Sequence, residues 1–346
     1  MTVLPAPLEQ LQLLLTERCN LKCSHCAVPE EMSPALHELD TDRWLAFIST
    51  VLDSGVRRIV LSGGEALLRR DCLAIAEHAL IAGAEAVIIV TNGTVLPVTT
   101  VGRLADLQRS WPGLLLHISL DGCDAPSHDL IRGPGAFERT MAGIGRLRLA
   151  GGRLDGVHTV LNRANVASLD MIADMILKLG ATSWTVFPIA ALGRGVNLNS
   201  LRLDQDAWEI VLRRLADNPP TGLELGVMGP TVGDEWTDPY NVPAPRSVHS
   251  PQACVGPDGA VFTCPPLRIA KAGGVLDVLE GTAWAKVDRA LRVTMAETCP
   301  TCKYRSLCTG VHPGADLLVV DRPFGEPVLA VAVPVPTAIS RARGDR

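Results

Sequence analysis

Leu11-Gln12-Leu13-Leu14-Leu15-Thr16-Glu17-Arg18-Cys19-Asn20-Leu21-Lys22-Cys23-Ser24-His25-Cys26 is the stretch whose reading decides the fold. Residues 11–15 read as a buried strand that ends just before a loop of three thiols. Clustered cysteines at this spacing usually bind metal in a reducing compartment and do not form disulfides. Three thiolates on one short loop can hold three irons of a [4Fe–4S] cube and leave the fourth iron open to an outside ligand. A structural zinc site wants four protein ligands, and His25 can supply the fourth, so zinc is the alternative.

Outward from this stretch, strand and helix patterns alternate. Residues 42–54 place Trp44, Leu45, Ile48, Val51 and Leu52 at helical spacing, with Asp40 or Thr41 as cap and Gly55 as stop. Ile59-Val60-Leu61 is a short apolar run before Gly63-Gly64, and residues 73–80 are helical up to Gly83. Strands are expected at 87–90, ahead of Thr91-Asn92-Gly93, and at 114–120, ahead of Asp121-Gly122. A helix from about Phe137 carries Met141, Ile144 and Leu147 on one face. Strands at 157–161 and 184–187 flank a helix with Leu169, Ile172 and Ile176. Nearly continuous apolar strands between amphipathic helices imply a parallel sheet covered by helices. About six such units before residue 195 predict an α/β fold, a partial (β/α)6 TIM-like barrel. Active sites of such sheets lie at the C-terminal strand ends. The thiol trio, Gly63-Gly64-Glu65, Thr91-Asn92 and 119–121 all fall there.

These motifs, in this order, resemble the radical S-adenosylmethionine (SAM) enzymes over roughly residues 10–195. The resemblance implies that Cys19, Cys23 and Cys26 hold a [4Fe–4S] cluster that binds SAM. It places His25 against the adenine, and Gly63, Gly64 and Glu65 at the methionyl amino group, although Ala66 stands where the family usually has Pro. Thr91 and Asn92 resemble the third-strand motif. Ser119-Leu120-Asp121-Gly122, His128, Ile131-Arg132-Gly133 and Gly135-Ala136-Phe137 resemble the fourth-strand segment. Ser119 is then expected near the ribose, Arg132 near the SAM carboxylate, and Val160 and Asn162 where the fifth strand meets the cofactor. The cofactor carries the hard chemistry, while the protein buries and aims a 5′-deoxyadenosyl radical that takes a substrate hydrogen.

After residue 217 the texture changes. Residues 218–252 are rich in Pro, Gly and Asp and read as a linker behind a 1–217 barrel. A hairpin is expected at 253–264, turning at Pro257-Asp258-Gly259. Gly259-x4-Cys264 and Cys299-x2-Cys302-x5-Cys308 resemble the C-terminal SPASM or twitch extension of these enzymes, over 253–320. The full pattern has a cysteine where His312 stands and another on or near His249. With Cys254, five thiols suffice for one auxiliary [4Fe–4S] cluster; a second needs other ligands. A zinc ribbon of Cys254/Cys264 and Cys299/Cys302 is the alternative. Residues 321–346 read as an extended tail of uncertain order. Arg194, past the sixth strand, can meet SAM or substrate, and His158 is expected to be a satisfied core histidine.

Composition narrows the function classes. The chain has 346 residues, 47% hydrophobic and 20% charged, enough for a full core. A net charge of −5 announces no nucleic-acid partner. No membrane span and no secretory signal are visible, so a cytoplasmic protein is expected. Ten cysteines, eight of them in the two groups, make iron–sulfur chemistry the expectation, with Cys72 and Cys123 as apolar fillers. A flavodoxin- or ferredoxin-type electron donor is implied by the resemblance. Relatives with such extensions act on peptides or on small sugars, cyclitols and nucleosides. The barrel's start near residue 10 and the incomplete auxiliary pattern tilt the expectation toward a small molecule in natural-product biosynthesis, with a peptide maturase as the alternative.

Overall fold

The apolar run after Glu9 forms β1 (Gln10–Leu14), the centre from which the sheet grows on both sides. The computed structural model describes residues 8–27, 38–190, 193–227, 252–262, 273–282, 284–287, 320–321 and 327–328. In chain order follow α1 (Thr41–Asp53), β2 (Arg58–Ser62), α2 (Cys72–Ile81), β3 (Ala86–Thr91), α3 (Val98–Ser110) and β4 (Leu114–Ser119). Next come α4 (Ala125–Arg132), α5 (Ala136–Leu149), β5 (Gly156–Leu161), α6 (Leu169–Lys178), β6 (Ser183–Pro188) and α7 (Gln205–Asp217). Strands β1 to β6 are parallel neighbours in sequence order, the expected alternation. Asp40 caps α1 by accepting from the Arg43 N–H, and Gly55, at φ 105°, follows its end.

The side-chain alternation of the strands sorts the two faces. Leu11, Leu13, Ile59, Leu61, Val87, Ile89, Leu116, Ile118 and Trp184 are fully buried in one core with the apolar stripes of the helices. Each such side chain is worth roughly 1.5–3 kcal/mol of burial. The alternate residues, among them Val60, Val90, His117, Ser119, His158, Val160 and Phe187, are only half-buried and line the other face. His158 belongs to this inner face. Its Nε2 lies 3.1 Å from His117 Nδ1, and its ring meets Phe187 edge-on at 5.4 Å. Burial lowers His117 to about 4 and His158 to about 3, so the couple is neutral at pH 7.

Four features depart from the expectation. The stretch 218–252, expected as a linker, contains β7 (Glu224–Val227), which adds parallel to β6. A four-residue strand beside Pro219-Pro220 and Gly222 is hidden by turn-forming neighbours. The expected hairpin forms, as β8 (Gln252–Val255) and β9 (Ala260–Phe262), but it is not set apart from the barrel. Strand β8 pairs parallel with β1, so the sheet runs β10-β9-β8-β1-β2-β3-β4-β5-β6-β7, with β10 at Gly273–Gly274. Parallel pairing across such a sequence distance leaves no local mark. The helix α8 (Val275–Leu279) and Trp284 then cover α1, with Trp284 edge-on to Phe47 at 5.9 Å. Helix α4 is not expected from the sequence, because it is only eight residues long and its two large apolar residues, Leu130 and Ile131, are adjacent. It forms on the Asp124 cap, which accepts from Ser127 N–H, and on Pro126 in the first turn. In the expected tail, Val320–Asp321 and Pro327–Val328 form a short antiparallel ladder.

Candidate functional site

The loop after β1 is held by the ends of four other strands. Gly64 N–H donates to Thr16 C=O at 2.7 Å and Glu65 N–H to Arg18 C=O at 2.9 Å. This approach leaves no room for side chains at the glycines. A Cβ on Gly64 would lie 2.5 Å from Glu17 O, and Gly63 sits at φ 138° against the Thr16 backbone. On the third-strand side, Asn92 Nδ2 donates to Asn20 Oδ1, and Asn20 Nδ2 to Thr94 Oγ1. On the fourth, Ser24 N–H and Oγ–H donate to Ile131 C=O in α4. On the sixth, Arg194 Nε donates to Cys23 C=O at 2.8 Å and Arg194 N–H to Cys26 C=O at 2.9 Å. Arg194 thus braces the loop backbone, a contact that its sequence position does not announce.

Cys19 is exposed, Cys26 partly covered and Cys23 buried. Burial pushes the Cys19 and Cys23 thiols up, and the nearby Arg132 guanidinium works against it. Among the described residues, no three His, Cys, Asp or Glu side chains gather closely enough for a single metal ion. A tetrahedral zinc would draw its ligands to within about 4 Å of one another. Three thiols on one braced loop can hold three irons of a [4Fe–4S] cube, and His25 adds a buried Nδ1 with no partner. Burial lowers His25 to about 4, so it stays neutral.

Glu65 is 1% exposed and spans two strand ends. Its Oε1 accepts from Thr91 Oγ1–H at 2.7 Å and Leu67 N–H at 3.1 Å, and its Oε2 from Asn92 N–H at 2.7 Å. Burial raises its pKa against these three donors. Thr91 and Asn92 therefore shape the Glu65 carboxylate first. Substituting Gly64 by Ala is expected to unseat the Cys19 loop and cut bound iron by more than half, read as iron per folded chain.

Asp121 is the buried centre of the fourth-strand turn. Arg132 Nε donates to Oδ2 at 2.6 Å and Val160 N–H to Oδ1 at 2.7 Å. Burial works to raise the Asp121 pKa, but the Arg132 guanidinium and these donors outweigh it, and the carboxyl ends below its ordinary value. Asn165, unmarked in the sequence reading, donates from Nδ2 to the carbonyls of Asp121 and Val160. Asn162 is turned into its own loop, with Oδ1 accepting from Ala164 N–H and Nδ2 donating to Val160 C=O. Ser119 ends β4 on the inner face, half-buried, beside His158 of β5. Cys254 is fully buried in β8, opposite Gln12. Cys264, Cys299, Cys302, Cys308, His249 and His312 lie outside the described residues.

Residues 13–176 match the Radical SAM superfamily. This stretch is a radical SAM domain. Membership implies SAM and a [4Fe–4S] cluster, which together supply one-electron cleavage of SAM to a carbon radical. Over 184 residues the chain is 39% identical to the AdoMet-dependent heme synthase of Methanosarcina barkeri, covering 52% of this chain and 50% of the relative. It is 32% identical over 181 residues to the PqqA peptide cyclase of Rhizobium meliloti, covering 51% of this chain and 47% of the relative. The chain spans about half the length of these curated relatives. Streptococcus suis SuiB bound to the precursor peptide SuiA matches with a TM-score of 0.64 at 14% identity, over 88% of this chain and 72% of that one. That likeness is one of fold. Among the described residues, no helix is long and apolar enough to cross a membrane.

Proposed function

We propose that this radical SAM enzyme is a peptide maturase, abstracting a hydrogen from a ribosomally made precursor peptide. The observation that supports the SAM chemistry in this reading is the joining of the Cys19, Cys23 and Cys26 loop to Glu65 and, through Ile131 of α4, to the helix that holds the Arg132–Asp121 pair. In this reading the three thiolates hold the cluster, and Gly63, Gly64 and Glu65 face the SAM amino group. Arg132 takes its carboxylate, Ser119 the ribose and His25 the adenine, with Thr91, Asn92, Asp121 and Asn162 supporting. The 32% identity to a peptide cyclase supports a peptide over the sugar, cyclitol or nucleoside expected from the sequence. A flavodoxin- or ferredoxin-type protein supplies the electron.

The test uses anaerobically reconstituted protein, SAM, dithionite and the precursor peptide encoded nearest its gene. A mass shift of the peptide with matching 5′-deoxyadenosine is expected. Stimulation by an iron porphyrin instead would favour a tetrapyrrole substrate, the reading that the heme synthase identity supports. The auxiliary cluster, on Cys254, Cys264, Cys299, Cys302 and Cys308, has its own check. With Cys19, Cys23 and Cys26 all replaced by Ala, about one cluster's worth of iron is expected to remain. A triple variant without iron would remove the second site.

A further inference from the structure

Helix α4 touches two parts of the site at once. Its Ile131 carbonyl takes two hydrogen bonds from Ser24 in the cysteine loop. One turn apart on the same face, His128 and Arg132 both meet Asp121, in the manner of an i, i+4 pair. Arg132 takes the carboxylate. His128 Nδ1 accepts the Asp121 backbone N–H at 3.1 Å. An acceptor Nδ1 places the ring proton on Nε2. His128 is 0% exposed, and this Nε2 is buried without a partner. The ring is edge-on to Phe137 at 5.8 Å. The seating also needs Gly122, where a Cβ would lie 2.7 Å from Ser127 Cβ and 2.8 Å from His128 N. A buried imidazole with one nitrogen orphaned is a poor choice for packing alone, since an apolar side chain would avoid the loss.

We propose that His128 is a positioning residue: by tying the Asp121 turn to α4, it aims the Arg132 guanidinium at the carboxylate of SAM. The inference rests on the reading of Arg132 as the SAM carboxylate contact. Asp121 has two attachments to α4, one through its backbone and one through its side chain. Removing the first lets the turn shift and carries Arg132 with it. The histidine is suited to this because Nδ1 is an acceptor at a fixed distance from the helix. Asparagine places Oδ1 where His places Nδ1, so His128→Asn preserves the bond, whereas His128→Phe keeps a ring and loses it.

The experiment measures SAM binding by equilibrium dialysis on anaerobically reconstituted full-length protein, together with iron per chain and Tm. His128→Phe is expected to weaken SAM binding about tenfold with the cluster retained, and His128→Asn to restore it. Arg132→Gln is expected to weaken binding at least as much, and the double variant no further than Arg132→Gln alone, because coupled residues are not additive. If His128→Phe does not fold, His128→Met, which also lacks the acceptor, takes its place in the cycle. Wild-type SAM affinity in the His128 variant, or additive losses in the double variant, would overturn the positioning role while leaving Arg132 as a contact. Wild-type affinity in Arg132→Gln would overturn the reading of Arg132, and the inference with it.

Discussion

Replacing Cys23 by Ala is expected to abolish SAM cleavage and leave the fold in place. Cys23 is the buried member of the trio, and its carbonyl, not its thiol, carries the brace to Arg194. The loop is therefore held by backbone contacts that the substitution keeps: Gly64 and Glu65 on Thr16 and Arg18, and Ser24 on Ile131. Losing the thiolate leaves two ligands on the loop, too few for a cluster with a single open iron. The measurement is 5′-deoxyadenosine formed with dithionite, set beside the circular dichroism and Tm of the variant. Turnover close to wild type would remove the cluster assignment from this loop. A collapse in Tm would instead mean that the thiol itself holds the loop.

Asp121→Asn is expected to give the largest loss of stability among the site substitutions. Asp121 is 0% exposed and its partner Arg132 8% exposed, so the variant strands a guanidinium away from water. Breaking a buried pair from one side costs about 3–5 kcal/mol, which lowers Tm by roughly 5–10 °C in a chain of this size. The pH dependence follows from the depressed carboxyl. Its stabilising contribution is complete above its unfolded pKa of about 4 and is lost as pH falls through the lower folded value. Wild type should therefore lose stability on acidification below about pH 4 by an amount that Asp121→Asn no longer shows. Equal acid profiles for the two proteins would mean that Asp121 and Arg132 are not coupled as the 2.6 Å contact indicates.

Local chemistry carried much of this protein in plain view. The strands β1 to β6 and helices α1, α2, α5 and α6 follow from apolar periods of two or 3.6 residues, since each buries one face against the same core. The thiol trio, the paired glycines and the turns after β3 and β4 were legible because their residue types are costly or unusual where they stand. The remainder depended on pairing between distant segments. Strand β8 joins β1 from more than two hundred residues away, and β7 lies inside what composition marks as a linker. Neither has a local signature, because a parallel ladder is made of backbone groups that every residue carries. The same holds for the site. Glu65 was visible, but not that Thr91 and Asn92 hold its carboxylate; Arg132 was visible, but not that His128 and Asp121 hold it on α4. Asn165 had no sequence mark at all, and Arg194 was marked for SAM or substrate but not for the brace it makes to the cysteine loop. Residue type sets which groups can bond. Which of them meet depends on a sheet that assembles from distant segments of the chain, because the hydrogen bonds that aim each side chain come from other strands.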